Sequence, residues 1–338
     1  MGEKSLFLVS VKKFACCSSF AILSKKIVGI RILSTPEKKY QSGAYGRSIN
    51  PFFDDFNVPA NMRKNPYYAC WDMEARQIPA EDSDAILEAL NCGDEVVQCN
   101  NTATCTIHIP VSYAISHNCC ESREVSTISE LVKGPGDGDI KAMVEGLYQN
   151  LENLAEESYR LMKEAHSEYL EKAEEMAADN PRLKQRLDDY QQWLKRLTVL
   201  GFNSSSYDTA LIKSWLFPLL KTKYQDGFTV VKKGSRYSAI TTPHCKFLDI
   251  MNYTGPGTSL KNFLKHWIDG DDPDDEKLLF PYCWLQKTEQ LNQVEFPTIE
   301  DFNKGIEDSA SNTERLTGQA PRQRTLGEGV CDLERYQI

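Results

Sequence analysis

A chain of 338 residues has room for two domains, or for one large domain with extensions, and its net charge of −9 argues against a surface given over wholly to nucleic acid, while leaving a local basic groove open. Eleven cysteines form neither a compact disulfide framework nor paired Cys-x-x-Cys spacing, which points to a reducing, intracellular compartment, with nucleus and mitochondrion both open. No apolar stretch reaches the ~18 residues of a membrane span, because Lys12, Lys13, Lys25 and Lys26 interrupt the candidates, so no membrane partner is expected.

From Met1 to about Ser34, Lys, Arg and Ser recur among apolar residues with no acid between Glu3 and Glu37. That balance fits an organellar transit peptide or an unrelated leader. Residues 35–66, with Pro36, Gly43, Gly46, Pro51, Pro59 and Pro66, read as an irregular linker. The aromatic run Tyr67-Tyr68-Ala69-Cys70-Trp71-Asp72-Met73-Glu74-Ala75 predicts a strand, on which Asp72 and Glu74, two residues apart, share one face. Such a pair belongs either to a solvated edge or beside a cation; a hard divalent ion takes oxygen ligands of this kind.

Residues 76–104 are polar and acidic, with a short helical pattern near Ala85 to Leu90. Thr104 to Ile115 alternates and is β-branched, predicting a second strand of the same sheet. Cys92, Cys99, Cys105, His108, His117, Cys119 and Cys120 crowd this region, but their spacing matches no standard zinc pattern. Gly134 to Gly138 reads as a turn, with Asp139 capping a helix, since no Gly-Lys-Ser/Thr follows. One long amphipathic helix is predicted from Ile140 to Ala178, and Asn180-Pro181 restarts it as far as Arg196. Leu197 to Leu200 then reads as a short buried strand, the serines 204–206 as a turn, and Asp208 as the start of a helix. Capping accounts for Asp208. It does not account for the Gly201-Phe202-Asn203 turn before it.

Gly-Phe-Asn-x-x-x-Tyr-Asp (201–208), following Asp-x-Glu (72–74) across a helical stretch, resembles the second and first exonuclease motifs of family B DNA polymerases, in particular the protein-primed branch of linear plasmids, certain viruses and self-synthesising transposons. Downstream, two predicted strands (Phe228 to Lys232, Tyr237 to Thr241) precede Phe247-Leu248-Asp249-Ile250. Thr258-Ser259-Leu260-Lys261-Asn262-Phe263 then resembles that branch's Ser/Thr-Leu-x-x-apolar element, and Phe280-Pro281-Tyr282 also looks like the family. The resemblance covers roughly residues 67–300.

It implies a ribonuclease-H-like 3′-5′ exonuclease domain over residues 67–304: an α/β fold with a mixed sheet flanked by helices and a long helical insertion at 139–196. Asp72, Glu74 and Asp208 would hold two Mg2+ (or Mn2+) ions and carry phosphodiester hydrolysis. Asn203 would contact the primer terminus, and Ser259, Leu260 and Phe263 would steady a single-stranded DNA end. For Tyr207 the residues leave both base stacking and packing under the turn open. A terminal protein is a further partner by the same resemblance. The family's third motif, Tyr-x-x-x-Asp, is absent after Asp208, because Tyr224, Tyr237, Tyr253 and Tyr282 are followed four residues on by Phe228, Thr241, Gly257 and Gln286. Asp249 would lend a carboxylate only if its strand ran beside the first. The palm motifs of nucleotide addition are absent too, so the expectation is a truncated polymerase that retains the exonuclease region. The alternatives are an inactive remnant that binds single-stranded DNA or protein, and a helical interaction protein built on residues 140–196. Gly270 to Glu276 is expected to be a solvated acidic turn, and residues 305–338 a disordered tail.

Overall fold

The computed structural model describes residues 50–79, 106–134, 136–254, 258–260, 262–263, 285 and 290. The leader up to residue 49, the helical pattern near Ala85, Cys92, Cys99, Cys105, the acidic turn at 270–276, the Phe280-Pro281-Tyr282 stretch and the tail lie outside them.

A seven-stranded mixed sheet with helices packed against it organises the chain. Its strands are β1 (Tyr68–Pro79), β2 (Thr106–His117), β3 (Ser126–Leu131), β4 (Leu197–Gly201), β5 (Thr229–Lys233), β6 (Arg236–Thr241) and β7 (Cys245–Asp249), laid out as β3-β2-β1-β4-β7-β6-β5. β2 runs antiparallel to β1 and β3, β4 and β7 run parallel to β1, and β6 and β5 return antiparallel at the far edge. Parallel neighbours need a crossover, and helices supply it after β3 and again after β4. The aromatic and β-branched runs thus form the predicted strands, and β1 lies inside the sheet, between β2 and β4.

Alternation divides β1 cleanly. Ala69, Trp71 and Met73 enter the main core, while Tyr68 and Cys70 enter a smaller apolar cluster on the opposite face, the face that Asp72 and Glu74 share with them.

Among the described residues the helices with defined bounds are α1 (Phe52–Asp55), α2 (Asp137–Ala165), α3 (Ser167–Ala177), α4 (Pro181–Lys195) and α5 (Asp208–Tyr224). Ile140, Met143, Val144, Leu147, Leu151, Leu154 and Ala155 recur at three and four residues along α2 and are all buried, the pattern of an amphipathic helix laid on a sheet. Gly136, rather than Asp139, is the N-cap of α2; Asp139 sits in the first turn and its carboxylate accepts from the Gly136 N–H at 3.3 Å. Asn180 caps α4 by accepting from the N–H groups of Arg182 and Leu183, and Pro181 takes the first helical position.

The helix predicted without a break from Ile140 to Ala178 is interrupted at His166, which is buried and bonded through Nδ1 to Tyr190 Oη at 2.7 Å. A buried imidazole needs a polar partner, and turning the chain there supplies it. The stretch read as an irregular linker is, from Asn50 on, part of the core: Phe52, Phe53, Phe56 and Val58 are buried, and Phe52 stacks on Tyr190 at 5.3 Å. Aromatic burial of that kind outweighs the proline content that marked the segment as a linker. Among the described residues no helix is long and apolar enough to cross a membrane.

Candidate active site

The site forms where β4 stops short of β1. Their parallel pairing runs only from Tyr68↔Thr198 to Cys70↔Leu200, so past Cys70 the edge of β1 loses its neighbour. The Met73 N–H on that edge is taken by a side chain from far along the sequence: it donates to Asp208 Oδ1 at 3.3 Å. Asp208 therefore docks on the backbone between Asp72 and Glu74, which flank Met73 along β1.

The route from β4 to Asp208 explains the sequence of the turn. Gly201 is glycine because Ser204 packs over it: an added Cβ would lie 2.2 Å from Ser204 Oγ. Asn203 adopts φ +63°, a left-handed conformation that Asn tolerates better than most residues. The Asn203 carbonyl accepts from the N–H groups of Ser206 and Tyr207, and the Ser204 carbonyl from Thr209, so the turn winds directly into α5. Asn203 itself is exposed.

Asp249 ends β7, opposite Gly201 and beside β4 rather than β1. Its Oδ1 accepts from the Asn203 and Met251 N–H groups and its Oδ2 from the Ser205 N–H, each at 2.9 Å. With its carboxylate spent on the backbone and its strand one place removed from β1, Asp249 does not lend a fourth carboxylate.

Electrostatics make the carboxylates one system. Asp208 is 3 % exposed, and burial first, then the charge of Asp72, push its carboxyl well above the usual range; Glu74 pushes the same way, while the bonds from the Met73 N–H and its own N–H pull against them. The phenol of Tyr207 is raised as well, by burial and then by Asp208, Glu74 and Asp72. Asp72 and Glu74 thus both bear on Asp208, and both are half-buried. Oxygen donors of this kind suit a hard divalent cation, which would offset the repulsion that adds to burial in raising Asp208. As they stand, no three His, Cys, Asp or Glu side chains among the described residues close around a single ion. The donor type and the mutual repulsion fit a divalent cation; an ion would have to draw the carboxylates together.

Tyr207 stands at the rim, partly exposed, with Oη 2.8 Å from His108 Nδ1 on β2 and the two rings edge to face. Burial holds the His108 imidazole below its ordinary pKa. The sequence places His108 in a crowd of potential zinc ligands and names Tyr207 as a candidate, but gives no hint that the two meet. His117 lies nine residues along the same strand, about 30 Å away at ~3.3 Å per residue, so the two histidines serve different ends of β2.

The Ser-Leu segment reaches the same face of β1. Phe263 is buried against Tyr68 and Cys70, with Leu200, Phe202 and Leu260 around them, and its ring lies 5.8 Å from that of Phe202. Ser259 is exposed and accepts from the Asn262 N–H at 3.1 Å, while its carbonyl accepts from Phe263. The cluster that seats Phe263 and Leu260 thus lies two to six residues along β1 from Asp72 and Glu74, with Ser259 next to Leu260 in the chain. Compared with family models, curated proteins and solved structures, the chain has no match among any of the three.

Proposed function

We propose that this chain is a metal-dependent nuclease of the 3′-5′ exonuclease type, with a ribonuclease-H-like fold, and corresponds to the proofreading region of a protein-primed family B DNA polymerase. The observation that carries the reading is the delivery of Asp208 to the Met73 N–H, between Asp72 and Glu74. A strand order with β1 flanked by an antiparallel β2 and a parallel β4 supports the same fold assignment.

The substrate is a single-stranded DNA end. A phosphodiester is anionic and would be repelled by three carboxylates, so hydrolysis here requires cations held by Asp72, Glu74 and Asp208. Two Mg2+ or Mn2+ ions supply an activated water and relief of charge on the leaving oxygen. The chain supplies the rest. Asp208 is locked on the strand backbone, Asp72 and Glu74 present side by side from a strand inside the sheet, and exposed Asn203 stands on the adjoining turn to meet the terminal nucleotide. Tyr207, held by His108, offers an aromatic edge at the rim for the last base. Phe263 anchors the segment that presents Ser259 and Leu260 to the incoming strand. A terminal protein is a further partner on this reading.

A second reading, a non-hydrolysing module for single-stranded DNA, is favoured by Asp249, whose engagement with the backbone leaves three carboxylates where the family uses four. One experiment separates the two. A 5′-labelled single-stranded oligonucleotide is incubated with the chain over a titration of Mg2+ or Mn2+. Stepwise shortening from the 3′ end, abolished by Asp72→Ala, supports the nuclease. Metal-independent retention of the intact oligonucleotide supports the binding module.

A further inference from the structure

We infer that Asp249 is the positioning residue of this site: it sets Asp208 on β1 by holding the backbone of the turn that carries it. The functional consequence rests on the nuclease reading; the positioning itself rests on geometry alone. Asp249 is 1 % exposed and ends a strand that never touches β1. Its Oδ1 and Oδ2 take the Asn203 and Ser205 N–H groups of the turn, and Oδ1 also takes the Met251 N–H of the short helical turn that Asp249 itself caps, each at 2.9 Å.

Asn203 carries the strained left-handed φ of +63°, and a backbone in that region persists only where its surroundings over-determine it. The Asn203 N–H, bonded to Asp249 Oδ1, is what keeps that residue turned. The Ser205 N–H is held by Oδ2, while its carbonyl accepts from the Tyr237 N–H of β6 at 2.9 Å, so the two peptides that flank Ser205 Cα are both pinned. Three residues beyond Ser205 the chain enters α5, whose first residue reaches the Met73 N–H at 3.3 Å. The path from Asp249 to β1 is therefore one short piece of backbone, bonded at each residue from Asn203 to Tyr207. A carboxylate suits the task because three convergent N–H donors need an acceptor with two charged oxygens.

Asp249 touches none of the reacting groups on this account, so its loss should act through Asp208. Amide hydrogen exchange reads that coupling without requiring metal or cleavage. In Asp249→Ala the amides of Asn203 and Ser205 are expected to exchange faster, and the Met73 amide, bonded to Asp208, to exchange roughly tenfold faster or more, while Val199 in β4 stays protected. Asp249→Asn keeps one acceptor oxygen and sets an amide N–H against the Ser205 N–H, so its Met73 amide should fall between wild type and alanine; it also serves if the alanine variant does not fold. Oligonucleotide cleavage should drop in the same order, through kcat with KM little changed. Faster exchange at Asn203 and Ser205 with Met73 as protected as in wild type would overturn the inference. A wild-type chain that cleaves nothing while the exchange pattern holds would instead count against the nuclease reading alone.

Discussion

Gly201→Ala gives the sharpest test of how the turn is built. The added methyl would stand 2.2 Å from Ser204 Oγ, 2.3 Å from Ser204 Cβ and 3.1 Å from Trp71 Nε1. Two of these contacts are shorter than carbon and oxygen tolerate, so the turn or β4 must move. Neither moves freely: Gly201 is paired with Asp249 across β4 and β7, and Asp249 holds Asn203 and Ser205. Overpacking of this kind costs about 2 kcal/mol, which for a domain of this size lowers Tm by roughly 4–8 °C. Because the shortest contacts are both to the Ser204 side chain, Ser204→Gly added to Gly201→Ala should restore about 1 kcal/mol beyond the sum of the single effects. Urea denaturation of the four proteins in the cycle measures this directly. A Gly201→Ala variant as stable as wild type, or a cycle with no coupling, would refute the packing argument.

Asp208 sets a pH dependence whose sign follows from its environment. Its folded-state pKa is raised, so its contribution to stability is present below the ordinary carboxylate pKa and is lost as pH rises through the folded value. Without divalent ions, Asp208→Asn should therefore gain on wild type as pH rises above the ordinary carboxylate range of about 4, as read by denaturant midpoints; a gap that stays constant with pH would contradict the assignment. Mg2+ or Mn2+ at about a hundredfold its Kd should stabilise the wild type by ~2.7 kcal/mol, roughly 5–10 °C in Tm, and leave Asp72→Ala unmoved; equal shifts in both would place the ion elsewhere. Phe263→Ala should cost about 3 kcal/mol by opening the cluster with Tyr68 and Cys70, and a cost below about 1 kcal/mol would show that the segment is not packed there. Tyr207→Phe removes a bond to His108 at the rim and should change stability by less than about 1 kcal/mol while weakening oligonucleotide cleavage.

The parts of this molecule legible in the sequence are those where a local pattern had one physical solution. The aromatic run around Asp72 and the β-branched run to Ile115 alternate, and they became neighbouring strands. The Gly-Phe-Asn turn marked a place where capping alone was not enough, and the structure gives the reason in Ser204 and Asn203. What the sequence concealed depends on contacts between distant segments. Nothing local to His166 reveals Tyr190 across the helical hairpin, so the break in the long helix was invisible. Phe52 and Phe53 sit among prolines and carboxylates, and only the aromatic side of α4 makes them core. Asp249 looked like a spare carboxylate because its partners are backbone N–H groups, which no side-chain motif records.

The central claim is that Asp72, Glu74 and Asp208 form one cation site, and anomalous diffraction from crystals of the chain soaked in Mn2+ tests it most directly. The account predicts manganese peaks among these three carboxylates, lost in crystals of Asp72→Ala. Manganese bound elsewhere, or no peak at this place when the metal is in excess, would contradict it.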